Sequence, residues 1–549
     1  MTDDPVRAVT LAWRALPPPL RGLVGLAGPY GRAAALWGAG DRRGALTALE
    51  ASPSRLAAFS LAVDQPTVAR SALARLSEHN GARPRLAARL AYREGRLTDA
   101  IRALDGARGW RAARLRRSLM AELAMLEPDG LRLRDGAARP PQPPTRGRVL
   151  HVVTDALPST SAGYTIRTQE IALAQRAAGM DPHVSTRIGF PVTAGAIDGR
   201  AAVTVDGVPY HRLLPWVMPG RMDRLYHAHL GRAARLTGQL RPAVLHAASN
   251  YANAVIALAL REATGLPVLY EVRGFWEDTW LSRHAGSDGL TSSDRYVRTR
   301  ALETHCMKAA DLVVTLGEAM REEIVARGVP AGNVIIVPNG VSEQFLEPLP
   351  DDGGRLRASL GIKPGEQVVG LVSSLVAHEG IGTLLDAVKI LRDRGLPVRA
   401  LIVGDGPERT TLQRQAAALG LDAVFTGRVP SSRVRDYHAV LDVFVVPRTP
   451  DRVCQLVTPL KPVEAMASGL PVVLSSVRAL SEIVKDQETG LLSPPLDAGE
   501  LAGRLEQLLA SPDLRAKLGA SARDWVARDR TWAHNAARYR AAYQRLGAL

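Results

Sequence analysis

From Val149 onward the chain alternates short apolar runs with amphipathic stretches of helical spacing, and this alternation constrains the fold more than any other feature. Val149-Leu-His-Val-Val-Thr-Asp155 reads as a buried parallel strand, followed by a loop over 156–163 and a helix through Ala178. Runs at Ala243–Ala248, Pro267–Val272, Asp311–Leu316 and Val334–Val337 continue the series. A second series occupies Gln367–Leu375, Val398–Gly404, Val424–Thr426, Asp442–Pro447 and Pro471–Ser475. Strands separated by helices specify an α/β fold with doubly wound parallel sheets, and two such series specify two Rossmann-like domains facing a cleft. Ligands of open parallel sheets bind beyond the carboxyl ends of the strands, so function is expected in that cleft.

The region before Val149 follows a different pattern. Pro140, Pro141, Pro143 and Pro144 fall in a stretch unsuited to helix, which sets a linker at 135–147. Upstream, 1–134 reads as an all-α domain, with Ala, Leu and Arg at three-and-four spacing and Gly between helices. Gly40, Ala45 and Leu49 recur at the same offsets as Gly95, Ala100 and Leu104, and Ala69 with Leu73 marks another copy. The stretch Tyr92-Arg-Glu-Gly-Arg-Leu-Thr-Asp-Ala-Ile resembles the turn and second helix of a tetratricopeptide-type repeat, which implies recruitment of a protein partner; an Ala-rich bundle with no binding role stands beside it.

Charge is concentrated in that first region. The chain carries 70 Lys and Arg against 54 Asp and Glu, a formal +16, and residues 1–148 hold 25 Arg, no Lys and 13 acidic residues. A basic helical face meets an anionic membrane surface, an acidic partner or only solvent. With aromatic residues at 5% there is no aromatic-rich basic stripe, so nucleic acid is not expected as a partner. Cys306 and Cys454 cannot build a disulfide framework. Asp3 and Asp4 stand where a basic leader would begin, so the expectation is a cytoplasmic protein, peripheral at most to the inner face of a membrane.

The chemistry concentrates in Cys454-Gln455-Leu-Val-Thr458-Pro-Leu-Lys461-Pro462-Val-Glu464, which runs on to Gly469 and an apolar strand. Pro462 near a helix start and Gly469 past its end place a helix N-terminus at the cleft, where backbone N–H groups suit a diphosphate. Lys461 is placed to neutralise phosphate charge, and Glu464 either accepts hydrogen bonds from a ribose diol or complements the helix dipole.

Together with Val337-Pro-Asn339-Gly340-Val, Val403-Gly404-Asp-Gly406-Pro-Glu408, Phe425-Thr-Gly427-Arg428-Val and Asp442-Val-Phe-Val-Val-Pro447, this segment resembles the C-terminal half of family-four glycosyltransferases of the GT-B fold. The resemblance runs from about Arg148 to the C-terminus. It implies an acceptor domain over 148–345, a nucleotide-sugar domain over 346–528 and a final helix over 529–549 returning to the acceptor domain. It also implies a nucleotide diphosphate sugar as donor, retention of configuration, no metal and no further cofactor, in polysaccharide or glycoconjugate assembly.

By resemblance, Glu464 holds the donor ribose, and Thr458, Leu460, Ser374, Arg428 and Gly404 complete the donor site. The family's first glutamate falls at Leu456, with Gln455 as the nearest polar candidate for the donor sugar; in a closer subgroup Gln455 is a Glu-to-Gln departure. The family's phosphate-binding Arg and Lys fall at Ser374 and Glu379, leaving Lys461, Arg273 and backbone amides to offset the diphosphate. Gly163 and Tyr164 resemble the glycine loop after the first strand, and Arg273 stands where many relatives place a catalytic-site His. Catalytic candidates are therefore Arg273, Gly163, Gln455 and Lys461; acceptor candidates are Tyr164, Glu277, Asp278 and His246. Glu277 and Asp278 alternatively cap the following segment, and His246 alternatively serves a structural hydrogen bond. The departures at Gln455, Ser374 and Glu379 motivate the alternatives of a degenerate transferase acting as a binding module, or a sugar-nucleotide epimerase or phosphorylase on the same fold.

Overall fold

The computed structural model describes residues 28–128, 131, 143–282, 284, 289–350 and 353–549. They gather into two compact units: Met1–Arg132 with Trp216–Ala228 and Arg283–Leu302, and Leu133–Pro215 with His229–Ser282 and Glu303–Leu549. Of the expected linker, 135–142 lie outside the described residues, and 143–147 are coil and turn.

The first unit is built from helix pairs: Gly28–Gly38 with Arg42–Thr47, Pro53–Ala62 with Pro66–Ala74, and Arg83–Arg93 with Leu97–Arg102, followed by Trp110–Ala124. The repeat in the sequence has a backbone cause. Gly40 and Gly95 take left-handed conformations (φ 91° and 74°) that break one helix and start the next, and Asp64 (φ 61°) occupies the same place before Ala69 and Leu73. Ala45, Ala69 and Ala100 are fully buried where paired helices approach, and Leu49, Leu73 and Leu104 close the small cores. Segments 216–228 and 283–302, expected within the acceptor domain, cluster with these helices instead. The Asp294 carboxylate accepts from the Leu97 and Thr98 N–H groups (2.5 and 2.6 Å), capping the helix Leu97–Arg102, and Arg295 pairs with Glu122 (2.7 Å) while its guanidinium lies over the Tyr92 ring.

The second unit holds two sheets. The first comprises β1 (Arg148–Val153), β2 (Asp181–Thr186), β3 (Ala202–Val205), β4 (Val208–His211), β5 (Val244–Ala248), β6 (Val268–Val272), β7 (Leu312–Thr315) and β8 (Val334–Ile336), in the order β3-β4-β2-β1-β5-β6-β7-β8. The second comprises β9 (Gln367–Val372), β10 (Val398–Val403), β11 (Val424–Gly427), β12 (Val443–Val446), β13 (Val472–Ser475) and β14 (Leu491–Ser493), in the order β11-β10-β9-β12-β13-β14. All pairings are parallel except β3 with β4, a hairpin turned by Asp206 and Gly207, both at positive φ. In each sheet the order reverses beside its first strand, opening the switch-point crevice of a doubly wound fold.

The last helix, Trp532–Arg545, follows the second sheet in sequence but packs on the first. Trp532, Tyr539, Ala542 and Tyr543 are buried against Val149, Ile171, Leu269 and Leu312. The crossing is pinned by a parallel bridge between Val341 and Thr531, whose hydroxyl caps the helix.

Candidate active site

Between the two sheets lies a cavity of about 660 Å³ whose walls come from strand ends and helix starts on both sides. From the first sheet come Ser161, the helix start Gly163-Tyr164, Arg167, Arg273 after β6 and Asn339 after β8. From the second come Ser373 and Ser374 after β9, Gly404 to Gly406 after β10, Arg428 after β11, Arg448 after β12, and Thr458 to Lys461 with Glu464 at the start of the helix Lys461–Ala467. Arg428 reaches across, its guanidinium donating to the Ser161 carbonyl (2.9 Å).

Local sequence explains this convergence. Pro462 sits in the first turn of Lys461–Ala467, where its missing N–H costs nothing, and Gly469 (φ 76°) ends the helix and returns the chain to β13. Gly404 (φ 136°) lies so close to the loop after β9 that a Cβ would stand 1.8 Å from the Ser373 carbonyl oxygen. A Cβ on Gly163 would meet only Leu460, at 3.8 Å, so that glycine leaves the cavity open at the helix start.

The electrostatics are set by two buried carboxylates, one behind each wall. Behind the second sheet's wall, Glu379 accepts from Arg448 (3.0 Å) and Lys461 (3.0 Å), and Lys461 also donates to the Ser373 hydroxyl. Burial alone would raise the Glu379 carboxyl, but Arg448 and Lys461 outweigh it and hold it far below the usual carboxylate range. Behind the first sheet's wall, Glu271 accepts from Arg167 (2.7 Å), Tyr539 (3.0 Å), His246 (3.0 Å) and Arg273 (2.8 Å). Burial opposes its charge, and the two guanidinium groups overcome that opposition. Arg273 is further fixed by donating to the Tyr164 carbonyl (2.9 Å) and the Thr168 hydroxyl (2.7 Å). Glu464 differs from both: burial pushes its carboxyl up to about 7, with Lys461 acting against the shift.

Ten of the residues expected from sequence are brought to this one cavity: Arg273, Gly163, Lys461, Glu464, Thr458, Leu460, Ser374, Arg428, Gly404 and Tyr164. Four are not. Gln455 is turned away, its Oε1 accepting from the Arg478 N–H (2.9 Å), because the short helix Arg452–Leu456 directs it toward the start of the helix Arg478–Ser481. Glu277 is fully buried beside Arg327 (2.6 Å), and Asp278 pairs with Arg452 (3.1 Å), so both are spent on structure. His246 is fully buried between Tyr543 (2.7 Å) and Glu271, with no access to the cavity. Arg448 and Asn339 are among the cavity residues to which the sequence assigned no role. Arg448, next to Pro447 at the end of β12, carried the signal of a charged residue at a strand's carboxyl end. Asn339, within a quoted motif, spans the walls by donating to the Thr458 carbonyl (2.8 Å) and accepting from Arg167 (3.0 Å).

Residues 353–525 match the family model "Glycosyl transferases group 1", and residues 162–340 match "Glycosyl transferase 4-like domain". Among curated proteins, a GDP-mannose-dependent alpha-(1-6)-phosphatidylinositol monomannoside mannosyltransferase of Mycolicibacterium smegmatis is 32% identical over 42% of this chain and 61% of its own length. A 2-deoxystreptamine glucosyltransferase of Streptomyces kanamyceticus is 30% identical over 47% of this chain and 66% of its own. The chain thus spans somewhat under two thirds of the length of these relatives. Among solved structures, sucrose-phosphate synthase from Thermosynechococcus elongatus superposes with a TM-score of 0.59 at 21% identity, covering 73% of this chain and 99% of that one, which shows the shared GT-B fold.

Proposed function

We propose that this chain, whose residues 162–340 and 353–525 belong to the glycosyltransferases those two models describe, moves a sugar from a nucleotide diphosphate sugar to an acceptor hydroxyl with retention of configuration. The observation that carries the reading is the ring of cations from both sheets, Arg273, Arg428, Arg448 and Lys461, around a cavity with Glu464 in the first turn of an adjoining helix. Cations on two facing walls suit the two charges of a diphosphate, and a carboxylate beyond them suits the ribose diol. The protein's own cations then do the work of charge stabilisation, without a metal. The names of two curated relatives, a phosphatidylinositol monomannoside mannosyltransferase and a 2-deoxystreptamine glucosyltransferase, support a hydroxyl-bearing acceptor in polysaccharide or glycoconjugate assembly.

The roles divide by wall. Glu464 fixes the ribose, while Lys461 and Arg448, both held in place by Glu379, take up the charge of the diphosphate. Arg273, held by Glu271, faces the leaving phosphate from the acceptor side, and the reaction proceeds as leaving phosphate assists the incoming hydroxyl on the same face. Gly163 and Tyr164 line the acceptor side of the cavity. A thermal-shift panel of guanosine, uridine and adenosine diphosphates and their sugar conjugates, run without metal, tests the reading: one base is expected to raise the melting temperature, and none doing so would sink it. The displaced Gln455 and the neutralising Glu379 favour one second reading, a nucleotide-binding module without turnover. It predicts the same shift with no release of nucleoside diphosphate from the sugar conjugate.

A further inference from the structure

The unit formed by 1–132, 216–228 and 283–302 carries features that sugar transfer leaves unused. Its residues include 27 Arg, no Lys and 15 acidic residues, so it holds a formal +12 of the chain's +16. It also exposes large apolar side chains. In the turn between Pro215 and Pro219, Trp216 is 103% exposed and Val217 81%, with Met218 exposed beside them. Arg221 and Arg224 follow directly; Arg221 is ion-paired with Asp223, and Arg224 is exposed. The helix Trp110–Ala124 presents a second mixed face, where Trp110, Ala113, Arg114, Arg117 and Met120 are all exposed at helical spacing.

A Trp ring that packs on nothing leaves in water the kind of surface that folded proteins bury or use for binding. Pro215 and Pro219 fix φ on either side of the turn and restrict its freedom to fold the ring back. Trp is the residue favoured at the bilayer interface, where its ring sits at headgroup level, and Arg pairs with lipid phosphate while its stem lies on apolar surface. Three apolar residues on a turn are too few for the core of a standard protein interface, but they suffice for shallow insertion when charge supplies the rest. Among the described residues no helix is long and apolar enough to cross a membrane, so the contact is interfacial. We propose that this unit docks on an anionic phospholipid bilayer, with Trp216, Val217 and Met218 inserted at the headgroup boundary and the Arg-rich surface held against lipid phosphate.

The test is co-sedimentation of the full chain with phosphatidylcholine vesicles containing about one third phosphatidylglycerol, against pure phosphatidylcholine vesicles. Binding is expected on the anionic vesicles, weakened by salt, and reduced about tenfold or more in the Trp216→Ser, Val217→Ser double variant. The variant's nucleotide thermal shift is expected to match the wild type, which separates loss of docking from loss of fold or of the donor site. Three outcomes overturn the proposal: wild type remaining in the supernatant, the double variant sedimenting equally, or light scattering showing a dimer that the double variant dissolves, which would make a second copy the occupant. A Trp110→Ser, Met120→Ser variant reads the helix face separately; loss of binding there, with the turn variant unaffected, overturns the assignment to Trp216.

Discussion

Glu464 is the residue whose chemistry is most exposed to test. Its carboxyl titrates near neutrality because burial penalises the charge more than Lys461 restores it. The charged form is the stronger acceptor for a ribose diol, so donor affinity is expected to rise between about pH 6 and pH 8, and Glu464→Gln to flatten that profile. The sign for stability is opposite. The folded state holds this proton above the ordinary carboxyl range, so the group's contribution to stability is present at low pH and is lost as pH rises toward 7. Glu464→Ala is expected to weaken donor binding about 10- to 100-fold, the worth of hydrogen bonds to a charged acceptor, with the thermal shift reduced in step. Arg273 makes a different prediction. It faces the cavity from the acceptor side and is held by Glu271, so Arg273→Ala is expected to lower kcat about 100-fold while leaving donor affinity within a few fold. The reverse split in steady-state kinetics would move Arg273 away from the reacting centre.

Elements position these residues, and the sequence discloses some of them better than others. The apolar runs of β1, β5 to β7, β9, β10, β12 and β13 are buried on both faces and stand out as continuous hydrophobic segments. Four strands left no such signal. β2 carries Asp181, Pro182 and His183, β3 and β4 form an edge hairpin of mixed polarity, and β14 is three residues long. Placement at the cavity was legible where it follows from a motif's backbone, as in Lys461 to Gly469, and illegible where it depends on which way a side chain points. Gln455, Glu277, Asp278 and His246 all adjoin cavity segments, yet hydrogen bonds with Arg478 and Tyr543 and ion pairs with Arg327 and Arg452 draw them elsewhere. At this scale Gly404→Ala tests the packing of the β9 and β10 loops. Positive φ and a Cβ against the Ser373 carbonyl predict a cost of about 2–3 kcal/mol. Thermal unfolding is expected to show that loss together with a weaker nucleotide shift, because the displaced loop carries Ser374.

At the scale of the second unit, the helix Trp532–Arg545 joins two domains that otherwise have separate cores. By sequence it follows the second sheet; by packing it completes the core of the first, and its Tyr539 hydroxyl donates to Glu271, the carboxylate that holds Arg273. Removing it strips Trp532, Tyr539 and Tyr543 from against Val149, Leu269 and Leu312, and takes from buried Glu271 one of its four donors. A ligand that binds the second sheet's wall then stabilises the first sheet only as far as this helix couples them. Calorimetry of the full chain is therefore expected to show the two Rossmann-like domains melting together and moving together when the nucleotide is added. In a chain ending at Arg530 the first domain is expected to melt separately, at lower temperature and without response to nucleotide. The milder Tyr539→Phe removes the hydroxyl and keeps the ring, so it is expected to cost about 1 kcal/mol and leave the melting joined. If the shortened chain instead still melts in one ligand-responsive transition, the coupling runs through the contacts across the cleft, Arg428 with Ser161 and Asn339 with Thr458, rather than through the returning helix.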